Sequence, residues 1–311
     1  MRSVPVLALV AAMVFAATAA EAQQSPSILF IGNSFTYGYG SAARFYRPET
    51  VTDLNDEGIG GVPALFKSFA DQTGLDYDVY LETRGGSGFE FHLDNKMAEL
   101  TSHPWDIVVF HGQSTLDLDN PGDPTKFMTT GEQLVRLLHS NNPNVEIYPT
   151  ATWSRADETY PEDGAWHGEP IGAMAEDVRA AYDMLATTTQ GITRINPVGE
   201  AFTQAWDDGV ADPNPYDGVD GDKLDLWTYD HYHASAAGYY LEALVVFGNV
   251  TGTDPRSLGR GECSGFELGF SADQVEALQS VAYEALTAEG VAMTSPPGHE
   301  APRRPERCAA P

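Results

Sequence analysis

Short apolar runs recur along this chain, separated by stretches with helical periodicity. Ser27–Ile31, Tyr77–Glu82, Asp106–Phe110, Val145–Tyr148 and Ile192–Asn196 read as strands. Gly61–Thr73, Thr129–Ser140, Ile171–Thr188, Ala234–Val250 and Ala272–Ala288 read as helices. In the first of these helices Leu65, Phe66 and Phe69 share one face, and Pro143 closes the second. Ile107, Val108, Val109 and Phe110 are apolar at successive positions, the pattern of a strand buried on both faces. Strands alternating with helices predict an α/β fold with a mostly parallel, five-stranded sheet covered on both sides. In an open parallel sheet, sites form at the carboxyl ends of the strands. Ser34 follows the first strand, Gly86 the second and Gln113 the third, so all three are expected to face one crevice.

The first 22 residues are not expected to belong to that fold. Arg2 precedes an apolar, Ala-rich run from Val6 to Ala20, and Ala20-Glu21-Ala22 fits a small-x-small cleavage pattern. The run is too short to anchor the chain in a bilayer, so residues 1–22 read as a signal peptide and the protein as exported, periplasmic or secreted. Residues 23–311 suit one large domain rather than two small ones. The formal charge of −28 repels nucleic acid and anionic membranes, which argues against either partner, and no later apolar run is long enough to insert across a bilayer. Two cysteines, Cys263 and Cys308, form an even pair that an oxidising compartment would allow to bond, although Cys308 could equally remain free or pair between molecules. Neither cysteine has a histidine at metal-ligand spacing. Residues 294–311 are Pro-rich and charged and are expected to be a disordered tail.

The chemistry concentrates in two places. Gly32-Asn33-Ser34 puts a serine on the turn after the first strand. Asp230-His231-Tyr232-His233 puts a carboxylate three residues before a histidine. A serine hydroxyl becomes a useful nucleophile only when a histidine takes its proton, and the histidine needs an acid to fix its tautomer. Alone, each half has a plain structural reading: a loop serine, and a helix-capping Asp230 beside a surface histidine. His231 competes for the base role, but its adjacency to Asp230 points it elsewhere.

Taken together, these motifs identify the chain as similar to the SGNH hydrolase superfamily, the GDSL-like esterases and lipases. Gly32-Asn33-Ser34-Phe35-Thr36 resembles the block that carries the nucleophile. Arg84-Gly85-Gly86-Ser87-Gly88 resembles the block whose glycine donates a backbone N–H to the oxyanion hole; Gly86 is the expected donor, with Gly85 and Gly88 as rivals. Asp230-His231-Tyr232-His233 resembles the final Asp-x-x-His block, and the resemblance spans residues 27 to about 252. It implies a flavodoxin-like three-layer α/β/α sandwich over residues 23–293 and hydrolysis of an ester through Ser34, His233 and Asp230, with no cofactor. Two positions depart from the family pattern. Asn33 replaces the commoner aspartate, and Gln113, in His111-Gly112-Gln113-Ser114, stands where an asparagine usually completes the oxyanion hole. The glutamine carries the same amide one methylene further out and is expected to donate from there, with the backbone N–H groups of Ser34 and Gly86.

Two further clusters remain. Asp217, Asp220, Asp222 and Asp225 lie in a Gly-rich loop that could wrap calcium, although the spacing departs from an EF-hand and a solvated loop is the simpler reading. Trp153, Arg155 and Trp166 follow the fourth strand and are candidates for stacking on a sugar, packing an acyl chain or binding an anion; core packing and pairing of Arg155 with Asp157 or Glu158 are the alternatives. The expected substrate is a short-chain or carbohydrate O-acyl ester. The rival functions are a lipase or thioesterase on longer acyl chains and a glycan-binding module that has lost turnover.

Overall fold

The computed structural model describes residues 25–296 and 308. The expected signal peptide and most of the expected tail lie outside the described residues. The elements run β1 (Ser27–Gly32), α1 (Ser34–Tyr37), β2 (Thr52–Asp53), α2 (Gly61–Gln72), β3 (Asp78–Thr83), α3 (Phe89–Asn95), α4 (Met97–Leu100), β4 (Ile107–Phe110), α5 (Thr125–Asn141) and β5 (Glu146–Ala151). They continue with α6 (Ala156–Thr159), α7 (Ala173–Thr188), β6 (Asn196–Pro197), α8 (Val198–Asp207), α9 (Ala236–Thr251), α10 (Cys263–Glu267) and α11 (Ala272–Ala288).

The strands form one parallel sheet in the order β2-β3-β1-β4-β5-β6. Six strands replace the expected five. The additional one, β2, is a two-residue edge strand without an apolar run to announce it. The run expected at 192–196 contributes only Asn196–Pro197, because the Thr193 hydroxyl accepts the Ile147 N–H and displaces the regular ladder there.

Every residue of β1 is buried, and its side chains alternate between two cores. Ile28 and Phe30 join the layer of α2, α8, α9 and α11; Leu29 and Ile31 join that of α5 and α7. This is the physical basis of the three-layer sandwich: a strand apolar at every position must be covered on both faces. Helix α9 is buried from Ala237 to Asn249 and is enclosed by α2, α8 and α11. Ser235 caps its start by accepting from the N–H groups of Ala237 and Gly238, and Gly252 ends it in a left-handed conformation.

The order of strands positions the site. From β1 the chain moves outward through β3 to one edge and through β4 to the other, so the connections reverse direction at β1. The register pairs Gly32 with Thr83 and Ile31 with Phe110, so three neighbouring strands end almost level. A crevice opens where the segments leaving such a switch point diverge.

Candidate active site

Ser34 begins α1, directly after β1. Asn33 caps this short helix, its side-chain oxygen accepting from the Phe35 N–H at 3.1 Å. The Asn33 amide donates to the carbonyls of Ser87, at 2.9 Å, and Gly112, at 3.1 Å. One buried side chain therefore ties together the segments that leave β1, β3 and β4. An aspartate could fill only the capping role, and would set an anion against two carbonyl oxygens. That requirement is a physical reason for the Asn33 departure noted in the sequence.

Two other residues brace the same turn. His111 is buried, with Nδ1 3.0 Å from Gly112 O and Nε2 2.7 Å from Thr36 Oγ1. Nδ1 must donate to the carbonyl, so Nε2 accepts from the threonine. Burial, opposed by the bond to Gly112, lowers its pKa to about 4 and keeps the ring neutral. Gly32 makes room for this contact: a Cβ there would lie 2.1 Å from Thr36 Oγ1. From α9, the Tyr239 hydroxyl donates to Ser34 O at 3.1 Å.

Asp230 and His233 lie on a tight loop before α9. The loop is closed by the Thr228 N–H donating to His233 O at 2.7 Å, with His231 at a left-handed φ of 55°. Asp230 does not cap the helix, since Ser235 does. Its Oδ1 instead accepts from Thr228 Oγ1, Tyr232 N and His233 N, and its Oδ2 lies 2.7 Å from His233 Nδ1. Partial burial works to raise the Asp230 pKa, but these donors outweigh it, the His233 ring first, and bring it down to about 2. The His233 pKa is lowered below 6.5, because burial of the ring outweighs attraction to Asp230. At neutral pH the pair is thus a carboxylate and a neutral imidazole. Nδ1–H faces Asp230, and the Nε2 lone pair is left over.

Aromatic rings surround the imidazole. Phe35, next to Ser34, lies 5.7 Å from it between centroids, Tyr39 4.5 Å and Tyr232 4.1 Å. Among the described residues, Ser34 Oγ and His233 Nε2 each make no hydrogen bond. His231 turns away and packs on Tyr216 at 4.5 Å.

Gly86 has φ +71°, and a Cβ there would meet nothing within 4 Å, so backbone conformation rather than space favours glycine. Gly85 and Gly86 are exposed, whereas Gly88 is buried at the start of α3. Neither the Ser34 nor the Gly86 N–H donates a hydrogen bond to a described residue. Gln113 Nε2 donates to Gly86 O at 2.5 Å, which occupies one of its two amide hydrogens and ties the β4 segment to the glycine loop.

The aromatic and arginine candidates after β5 turn inward. Trp153 is fully buried, stacked between Phe35, at 4.0 Å, and Phe202, at 5.0 Å. Trp166 is buried, its Nε1 donating to Asp177. Neither presents a face to a sugar or an acyl chain, so both serve packing, and the expected contact role is corrected. Arg155 is spent as well: it pairs with Asp157 and Glu158 and lies 3.6 Å from the Tyr232 ring centre, supporting the aromatic wall behind His233. The acidic loop forms no ion cage. Asp217 accepts from Asn214, Asp220 pairs with Lys223, and Asp225 accepts from the Trp227 N–H. Among the described residues no group of three or more His, Cys, Asp or Glu converges to hold a metal ion. Cys263 and Cys308 are bonded, with Cα atoms 5.3 Å apart, and Arg47 donates to Cys308 O.

The architecture, with a Ser-bearing turn at the switch point of a parallel three-layer sandwich, is the SGNH hydrolase fold. No family model matches the sequence, and no curated protein matches it. Solved structures do. A DUF4886 family protein from Bacteroides uniformis shares 16% identity over 88% of this chain and 98% of its own, with a TM-score of 0.57. A structure from Parabacteroides merdae described as a GDSL-like lipase shares 17% identity over 74% of this chain and 96% of its own, with a TM-score of 0.54. A lipase/acylhydrolase from Enterococcus faecalis shares 15% identity over 73% of this chain and 96% of its own, with a TM-score of 0.50. No helix among the described residues is long and apolar enough to cross a membrane.

Proposed function

We propose that this protein is an exported serine esterase acting on short-chain or carbohydrate O-acyl esters. The observation that carries the reading is the Asp230–His233 pair, ionised and neutral respectively, with the imidazole Nε2 uncommitted and its ring 5.7 Å from that of Phe35, the neighbour of Ser34, whose hydroxyl is also uncommitted. In this reading Ser34 Oγ attacks the ester carbonyl carbon while its proton passes to His233 Nε2. The carbonyl oxygen becomes an oxyanion held by the N–H groups of Ser34 and Gly86 and by the second amide hydrogen of Gln113. His233 then returns the proton to the departing alkoxide, leaving the acyl group on Ser34. Water, deprotonated by the same nitrogen, releases the acid and restores the hydroxyl.

Carbohydrate esters suit the rim of the site. Tyr39 packs on His233 while remaining partly exposed, and Tyr229, beside Asp230, is 76% exposed. These two rings offer the stacking surface that the buried tryptophans do not. Export is supported by the leader-like N-terminus and by the Cys263–Cys308 bond. Two structural neighbours described as a lipase and a lipase/acylhydrolase support ester chemistry.

The test is hydrolysis of p-nitrophenyl esters from acetate to decanoate by the mature protein and by Ser34→Ala. Rates are expected to fall with chain length and to vanish in the variant. Equal rates for the two proteins on every ester would refute the proposal.

A further inference from the structure

A second serine, histidine and carboxylate lie against the glycine loop. We propose that Glu82, His92 and Ser87 form a buried positioning relay that holds Gly86 in the conformation needed to stabilise the oxyanion, an inference that rests on the esterase reading above. Glu82, on β3, is 0% exposed and His92, on α3, is 1% exposed. His92 Nδ1 bonds to Glu82 Oε2, and its Nε2 lies 3.1 Å from Ser87 Oγ. Ser87 Oγ donates in turn to Arg84 O at 2.7 Å, the same carbonyl that accepts the Ser87 N–H. Behind Glu82, Asn55 lies 3.4 Å from Oε1 and donates to Thr83 O, and Lys96 bonds to the Asn55 side chain.

Counting protons assigns the roles. A hydroxyl has one proton, and the contact with Arg84 O uses it. Ser87 Oγ must therefore accept from His92, so Nε2 carries a hydrogen, and a further proton lies between Nδ1 and Glu82. A histidine that donates to a serine cannot at the same time take its proton. This set is wired to hold Ser87, not to activate it.

What it holds is specific. The Arg84 carbonyl is fixed by Ser87, the Gly86 carbonyl by Gln113, and the Ser87 carbonyl by Asn33. Between those fixed points lies the Gly85–Gly86 peptide, whose N–H is the proposed oxyanion donor. An oxyanion donor contributes in proportion to how well it is aimed before the reaction begins. Retaining a buried His–Glu pair costs desolvation, and specific geometry is one return for that cost.

The experiment compares Ser87→Ala, Glu82→Gln and Glu82→Ala with wild type. The readouts are kcat and KM for p-nitrophenyl acetate, the rate of fluorophosphonate labelling at Ser34, and Tm. Ser87→Ala is expected to lower kcat and labelling rate together by about 10- to 100-fold, less than loss of a whole donor, with KM within about two-fold. Glu82→Gln should remain within about three-fold of wild type, because its amide can donate to Nδ1 and leave the hydrogen on Nε2. Glu82→Ala should behave like Ser87→Ala. A lower Tm with unchanged kcat in all three would show a purely structural network and overturn the relay. Hydrolysis that survives Ser34→Ala but not Ser87→Ala would make Ser87 the nucleophile and overturn both readings. A folded wild type without Ser34-dependent hydrolysis would remove the proposed function, and the relay with it.

Discussion

A serine, a histidine and a carboxylate occur together twice in this molecule, and the two sets are wired in opposite ways. Ser34, His233 and Asp230 come from two segments almost two hundred residues apart, and among the described residues the serine hydroxyl and the imidazole Nε2 are uncommitted. Ser87, His92 and Glu82 come from one short stretch, and each of them is hydrogen-bonded. The difference is one of spare bonding capacity. A nucleophile needs a proton with somewhere to go, and a neutral base with a lone pair to receive it. A brace needs every valence filled. Residue type alone would nominate either serine; the uncommitted hydroxyl of Ser34 is the ground on which it is proposed as the nucleophile.

That contrast can be broken most forcefully at Asp230. Replacing it with asparagine keeps the shape but removes the charge that fixes the His233 tautomer, and is expected to lower kcat by about 10³- to 10⁴-fold. In the intact protein the acid limb of kcat/KM should lie below pH 6.5, because the folded His233 pKa is depressed and the neutral ring is the active form. Asp230 also contributes to stability. Its carboxylate is depressed to about 2, so its stabilising effect is full above the unfolded value of 3.8 and fades as pH falls toward 2, which acid unfolding of the Asp230→Asn variant would reveal as a missing step.

The next effect concerns Gln113, whose amide holds the carbonyl of Gly86, next to Ser87. Gln113→Ala should cost about 10²- to 10³-fold in kcat, combining a lost donor with a loosened glycine loop. An unchanged kcat would remove this side chain from the oxyanion hole. The smallest effect on activity is expected far from both sets. Opening the Cys263–Cys308 bond with Cys308→Ser should leave kcat unchanged while lowering Tm; the sequence separation of 45 corresponds to about 4 kcal/mol in the chain-entropy picture.

The parts legible in the sequence are those written locally. β1, β3, β4 and β5 announce themselves as apolar runs, and Asp230-x-x-His233 is a spacing that one turn can close. β2 and β6 are two residues each and carry no period. Helix α8 did have a readable face, with Val198, Ala201, Phe202, Ala205 and Trp206 at helical spacing, yet was absent from the expected elements. Most of the braces of the site were out of reach for a different reason. Asn33 acts on Ser87 and Gly112, His111 on Thr36, and Tyr239 on Ser34, partners from 54 to 205 residues away. Their roles exist only once the strands are side by side. The same holds for Trp153 and Trp166, whose composition suggested a sugar platform and whose burial makes them core.

The most direct measurement is to label the folded wild-type protein with a fluorophosphonate and map the adduct by mass spectrometry. A single adduct on Ser34, absent from Ser34→Ala and slowed in Asp230→Asn, is the predicted result. An adduct on Ser87, or none on Ser34 while the protein hydrolyses esters, would contradict the account.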